Sequence, residues 1–167
     1  MYEKLLDEAT QKGLTVIEKY PFLSTRIRGL CCDDTIALSA QIDTEAERTV
    51  ILCEELLHAT HSVGDILSDP RMERKTRERM FDRLVGLPTL VDALLSGCRQ
   101  PWELAEHLGV PTDFMIDVLQ NYRERYGTLV EVTTKKGRFA LSFEPHLRVR
   151  PLANGTKKAD RKEDIAS

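Results

Sequence analysis

The segment CEELLHATH, residues 53–61, lies in the stretch that decides the fold of this chain. Upstream of it, Thr44 and Glu47 are spaced as in a capping box, which predicts a helix from Thr44 to about Ser62. The three consecutive apolar residues at 50–52 predict that this helix is buried on several sides. The helix is therefore expected to lie in the core, so that the charged side chains of the segment at 53–61 would be buried with it.

Glu54 and His58 are four positions apart, so their side chains lie on one face of the predicted helix. Glu55 lies about 100° round the helix from Glu54. This is the spacing of the HExxH zinc helix, with a glutamate in the place of the first histidine, and zinc accepts carboxylate oxygen. The simpler interpretation is a solvated helix face with His58 at the surface. The neighbouring leucines argue against it, because buried charges need a partner or a metal.

The composition is that of an ordinary globular protein, and it argues against several other classes of protein. The 167 residues are 41% hydrophobic and 31% charged, with a formal net charge of -3. We find no apolar run of the length that a membrane span needs, and no secretion signal, so a cytoplasmic location is expected. The net charge gives no bulk reason to expect nucleic-acid binding. The four cysteines lack CxxC spacing and are expected to be free thiols: Cys31, Cys32, Cys53 and Cys98.

Patterns on both sides of the central helix predict an α+β fold. An amphipathic helix is expected at residues 2–13, followed by a short antiparallel strand pair that includes residues 36–42. Asp69 and Pro70 are suited to begin a further helix that runs to about Val85. Another helix is expected from Leu87 to Ser96.

The C-terminal part has the element order of a winged helix. Helices are predicted at 101–108 and from Asp113, capped by Thr112, to about Tyr126, with a hairpin between residues 129 and 143. Asp113 and Asp117 stand where a recognition helix would meet phosphates, which disfavours DNA binding. The residues after Leu152 are polar and are expected to be disordered.

The chain resembles the ImmA/IrrE family of metallo-endopeptidases, especially the form found on mobile elements of Gram-positive bacteria. The resemblance rests on five segments that span most of the chain: EELLH at 54–58, GDIL at 64–67, SGC at 96–98, WELAEHLGV at 102–110 and FEP at 143–145. It implies a mainly helical, minimal zincin-like half with a short antiparallel sheet at residues 1–88. A winged-helix-like module at 89–152 and a tail at 153–167 would follow.

The resemblance also implies zinc-dependent cleavage of a protein, namely a transcriptional repressor that controls a mobile element or prophage and is encoded nearby. Glu54 and His58 would bind Zn²⁺, and Glu55 would be the general base. A third protein ligand is needed, and Glu73 at the start of the next helix is the first choice. Other candidates for a ligand or for a residue that orients one are Asp65, Glu78 and His61.

Two other functions stay open. The first is a non-catalytic regulator that binds the repressor and has a degenerate metal site. Leu57 stands where the family commonly has glycine, and Gly86 stands where a proline is usual. These departures are compatible with a site that has lost its catalytic function. The second is a winged-helix DNA-binding protein. The oligomeric state does not follow from the sequence.

Overall fold

The protein has an α+β fold, as predicted, in a computed structural model that describes residues 1–60 and 70–153. The described helices are α1 (Tyr2–Gln11), α2 (Glu45–Ala59), α3 (Pro70–Leu84), α4 (Leu87–Leu95), α5 (Pro101–Leu108) and α6 (Thr112–Tyr126). The described strands are β1 (Thr15–Tyr20), β2 (Gly29–Cys32), β3 (Thr35–Ser39), β4 (Leu129–Thr134), β5 (Gly137–Ser142) and β6 (Arg148–Pro151). His61, Asp65, the GDIL segment, the cap predicted at Asp69 and the tail from residue 154 lie outside the described residues.

The first sheet has the strand order β1-β3-β2. The predicted antiparallel pair is β2 with β3, and it turns at Asp33, whose φ of 51° suits a tight turn. The sheet also contains β1, which pairs with β3 in parallel and was not predicted. Along β1 only Val16 is even half-buried, so this strand lacks the alternation that reveals a strand in a sequence.

Helix α2 covers the inner face of this sheet. Its buried residues include Leu52, Cys53 and Leu56, and the sheet contributes Ile36 and Leu38, all of them 0% exposed. The predicted capping box is present, since Glu47 N–H donates to the Thr44 hydroxyl at 3.2 Å. This packing fixes which face of α2 remains accessible.

The helix is shorter than predicted, because α2 ends at Ala59 and Thr60 is its C-cap. The Thr60 hydroxyl donates to the carbonyl oxygens of Leu56 at 3.2 Å and Leu57 at 2.8 Å. These bonds add a side-chain donor to carbonyl groups of the last helical turn, and the Leu56 carbonyl also accepts from the Thr60 N–H at 3.3 Å.

In the C-terminal part, α5 and α6 are followed by a second sheet of order β4-β5-β6. The hairpin β4–β5 was predicted, whereas β6 was not. The predicted cap at Thr112 is wrong: Pro111 occupies the N-cap without a side-chain hydrogen bond, and Thr112 is already helical. Proline has its φ fixed near the helical value and so can stand at a helix start.

One continuous hydrophobic core links the two parts of the chain. The Tyr122 hydroxyl of α6 donates to the Phe81 carbonyl of α3 at 3.1 Å and accepts from the Gly86 N–H at 3.1 Å. The buried polar group is therefore satisfied on both sides. Among the described residues, no helix is long and apolar enough to cross a membrane.

Candidate functional site

Helices α2 and α3 border a cavity of about 480 Å³. Glu54 and His58 of α2 and Glu73 of α3 all line it. The first two share a face because they are one helical turn apart, and Glu73 reaches the cavity because it lies in the first turn of α3. The three residues expected as metal ligands are thus brought to one cavity.

Glu54, His58 and Glu73 are exposed side chains, so the expectation that Glu54 and His58 would be buried on a core helix is wrong. The buried side of α2 is the side with Leu52, Cys53 and Leu56, and the carboxylate–imidazole pair faces away from it. The carboxylates of Glu54 and Glu73 make no hydrogen bond or ion pair with a described residue, which leaves them free to rotate. Because these side chains are exposed, their charges do not require a bound metal to compensate for burial.

The donor types fit zinc, which is bound in proteins by imidazole nitrogen and carboxylate oxygen. In the present rotamers, however, no three His, Cys, Asp or Glu side chains within residues 1–60 and 70–153 are grouped closely enough to hold a metal ion. Exposed glutamate side chains change rotamer readily. Zinc binding at this cavity would therefore require the side chains of Glu54, His58 and Glu73 to change rotamer and converge on the ion.

Glu55 is partly buried and faces the first sheet, and it does not line the cavity. Its carboxylate accepts a hydrogen bond from the backbone N–H of Cys31 in β2. Burial, together with the charge of Glu54, raises the pKa of Glu55 to about 7, and the Cys31 N–H opposes that rise. A carboxyl group with this pKa exchanges its proton near neutral pH.

Gly29 of β2 sets the position of Glu55, a role that was not anticipated. A Cβ atom at residue 29 would lie 2.6 Å from Cγ2 of Ile51 and 2.8 Å from Oε1 of Glu55. Only glycine lets β2 approach α2 this closely. The sequence feature that could have revealed this role is a glycine at the edge of an apolar run, because such a glycine often marks a place where two backbone segments approach closely.

Among the remaining ligand candidates, only Glu78 is described, and it is not brought to the cavity. Glu78 pairs with Arg74 at 3.1 Å, one turn away on the same helix, and is not among the lining residues. Asp65 and His61 belong to the part of the chain that is not described. Glu73 therefore has the best position of the candidate third ligands that can be compared.

Helix α6 closes one side of the same cavity. Phe114, which is 9% exposed, lines it, and its ring lies edge-to-face with that of Phe81 at a centroid distance of 5.2 Å. Arg77 of α3 pairs with Asp117 of α6 and lies 5.6 Å above the Phe81 ring. The C-terminal part therefore contributes to the site.

The basic residues at the tip of the hairpin are largely paired within the chain. Lys136 lies 2.8 Å from Asp92, and Arg138 lies 2.6 Å from Glu131. With Asp117 also engaged by Arg77, the face that a recognition helix would use is acidic and partly occupied. These contacts favour packing over duplex binding.

Comparisons with protein families, with curated proteins and with solved structures found no match to this chain.

Proposed function

We propose that the chain is a zinc-dependent metallo-endopeptidase with a zincin-like first half and a winged-helix-like second half. Its substrate would be a transcriptional repressor of a mobile element or prophage. The observation that carries the proposal is the cavity shared by Glu54, His58 and Glu73, with Glu55 next along the helix. The resemblance of the EELLH, SGC and WELAEHLGV segments to the ImmA/IrrE family supports it further.

Bound zinc would act as a Lewis acid toward the peptide carbonyl and would lower the pKa of a water molecule. Glu54, His58 and Glu73 would supply two oxygen donors and one nitrogen donor. Two carboxylate ligands donate more negative charge than the histidine-rich sets of many peptidases. We therefore expect this site to acidify water less strongly than those peptidases do.

Glu55 would take a proton from the attacking water and return it to the leaving amine. Its raised pKa, about 7, suits both transfers near neutral pH. In the described conformation its carboxylate is bonded to the Cys31 N–H, so the transfer requires a turn toward the cavity. Substrate binding beside α2 would have to favour that turn.

The test is cleavage of the repressor encoded beside the gene, with zinc content measured on the same samples. Glu55→Gln should lower the cleavage rate at least about 100-fold, because general-base catalysis is lost. The variant should still bind zinc, because the proposed ligands remain. Glu45→Gln is the matched control, since Glu45 is an exposed residue in the first turn of α2. Full cleavage by Glu55→Gln would overturn the proposal.

A non-catalytic regulator that binds the repressor is the second candidate. The observation that favours it is the separation of Glu55 from the cavity of Glu54 and His58. This alternative predicts a stable complex with uncut repressor whether or not zinc is supplied. The endopeptidase predicts fragments that appear only with zinc and disappear with a chelator.

A further inference from the structure

A second cavity, of about 690 Å³, opens between the end of α4 and the chain that links β5 to β6. Its apolar walls include Leu94, Phe143, Leu147 and Val149. Ligand pockets typically have volumes of about 300–1,000 Å³, with mainly apolar walls and a few placed polar groups. The cavity lies on the C-terminal half and shares no lining residue with the cavity of Glu54 and His58.

The charged groups that line this cavity are two arginines, and the neutral polar Gln100 lies with them. Arg99, His146 and Arg148 line it, and none of its lining residues is an aspartate or glutamate. The nearby acids are engaged elsewhere: Glu103 accepts from the backbone N–H groups of Arg99 at 2.6 Å and Gln100 at 2.9 Å. Glu144 pairs with Arg123 of α6.

The two arginines differ in how they are held. The Arg99 guanidinium donates to the carbonyl oxygens of Leu94 at 2.7 Å and Cys98 at 2.8 Å, which fixes it at the rim. The backbone of Arg148 belongs to the β5–β6 pairing, but its guanidinium makes no hydrogen bond or ion pair with any described residue. Its charge is thus not neutralised within the described chain, and it borders an apolar surface.

We propose that this cavity binds an organic carboxylate with an apolar body. The carboxylate would pair with the Arg148 guanidinium, with Arg99 beside it, because guanidinium and carboxylate form charge-assisted hydrogen bonds. The apolar body would contact Phe143, Leu147 and Val149. This site is independent of the proposed peptidase activity and would stand if that activity were absent.

Titration calorimetry of the full chain with octanoate and three matched compounds tests the proposal. Octanol and octylammonium keep the apolar body without the negative charge, and acetate keeps the carboxylate without the body. Octanoate should bind at least about ten-fold more tightly than octanol and octylammonium, since one charge-assisted bond is worth a factor of ten or more. It should also bind at least about ten-fold more tightly than acetate, which buries no apolar body. Equal affinities for octanoate and octanol would overturn the proposal, as would no binding of octanoate at millimolar concentration.

Two variants on one strand locate the binding. Arg148→Gln should weaken octanoate binding about ten-fold and leave octanol binding unchanged, because it removes the charge and not the apolar wall. Arg150→Gln is the matched control: Arg150 is an exposed arginine of β6 that does not line the cavity. If both variants weakened octanoate binding equally, binding would be due to general charge and the assigned site would be wrong.

Discussion

Glu55 and Gly29 form a contact on which the chemistry of the proposed site depends. The carboxylate of Glu55 lies against β2 because residue 29 has no side chain, and the Cys31 N–H bonds to it there. The same contact removes the carboxylate from water and raises its pKa to about 7. The glycine therefore tunes the residue proposed as general base, although it contacts neither metal nor substrate.

Gly29→Ala is expected to lower the free energy of unfolding by about 1–3 kcal/mol, the usual cost of overpacking a tight contact. The new methyl group would meet Cγ2 of Ile51 at 2.6 Å and Oε1 of Glu55 at 2.8 Å, so these side chains or the backbone beside them must shift. Chemical denaturation measures the loss. Zinc content should be unchanged, since Glu54, His58 and Glu73 line a cavity to which Gly29, Ile51 and Glu55 do not contribute.

The double variant Gly29→Ala with Ile51→Ala serves as the control. Ile51→Ala removes the Cγ2 atom that the new methyl group would meet, so the two changes should cost less together than the sum of their separate costs. Strict additivity would show that the alanine is accommodated without contact with Ile51, which contradicts the close approach described above.

Local spacing was sufficient to predict that Glu54 and His58 share a face, because residues four apart on a helix always do. Local spacing could not predict that Glu55 is covered by β2. That burial depends on Gly29, which is distant in sequence and becomes a neighbour only through the pairing of β2 with β3. The position of Glu73 at the cavity likewise depends on the packing of α3 beside α2.

At the scale of elements, the start of α2 is held by its capping box and by an ion pair to Arg28, which directly precedes β2. Glu47 accepts from Thr44 N–H at 3.3 Å, and the Arg28 guanidinium donates to its other carboxylate oxygen at 2.8 Å. The hydrogen bond from Arg28, reinforced by those from Thr44, holds the pKa of Glu47 below its usual value. The charged form of Glu47 therefore stabilises the folded state.

This lowered pKa predicts a pH dependence with a defined sign. The stabilisation should be fully present above the unfolded-state pKa of glutamate, about 4.3, and be lost as the pH falls through the lower pKa of the folded state. The difference in unfolding free energy between wild type and Glu47→Gln should therefore shrink from about pH 6 to about pH 3. The effect should be a few tenths of a kcal/mol, since the pair is partly exposed.

An Arg28→Gln background provides the check, because Arg28 is the main cause of the shift. The pH-dependent part of the difference should be smaller in that background. An undiminished pH dependence there would mean that the ion pair between Arg28 and Glu47 does not stabilise the start of α2.

Elements with local signals were predicted well, and elements that depend on distant partners were not. Helix α5 was predicted with the bounds that the structure has, helped by a glycine at its end in the left-handed conformation. Strands β1 and β6 were missed. Each lies at one side of its sheet with mostly exposed residues, so neither shows an apolar alternation.

At the scale of the whole molecule, the two parts of the chain share one hydrophobic core and several polar contacts. Tyr122 bonds to the end of α3, and Arg125 of α6 pairs with Asp82 of α3 at 3.0 Å through two nitrogen–oxygen contacts. Domains joined by a continuous core generally unfold together. The hydrophobic core therefore crosses the division that was expected near residue 88.

Equilibrium unfolding in urea should show one transition at the same midpoint by two probes. Trp102 is the only tryptophan in the chain, so its fluorescence reports on the C-terminal part, while far-UV circular dichroism reports on all helices. Coincident curves are expected because Phe81 of α3 packs against Phe114 of α6. Two separated midpoints would show that the halves unfold independently.

The most direct test of the central claim is the zinc content of the purified protein, measured by elemental analysis after exposure to zinc and removal of the excess. The account predicts about one zinc ion per wild-type chain, and its loss in Glu54→Gln and in His58→Ala, because each removes one donor of the site. Glu78→Gln and His107→Ala, which change side chains that do not line the cavity, should retain it. A wild-type chain that holds no zinc, or a His58→Ala chain that holds as much as wild type, would contradict the account.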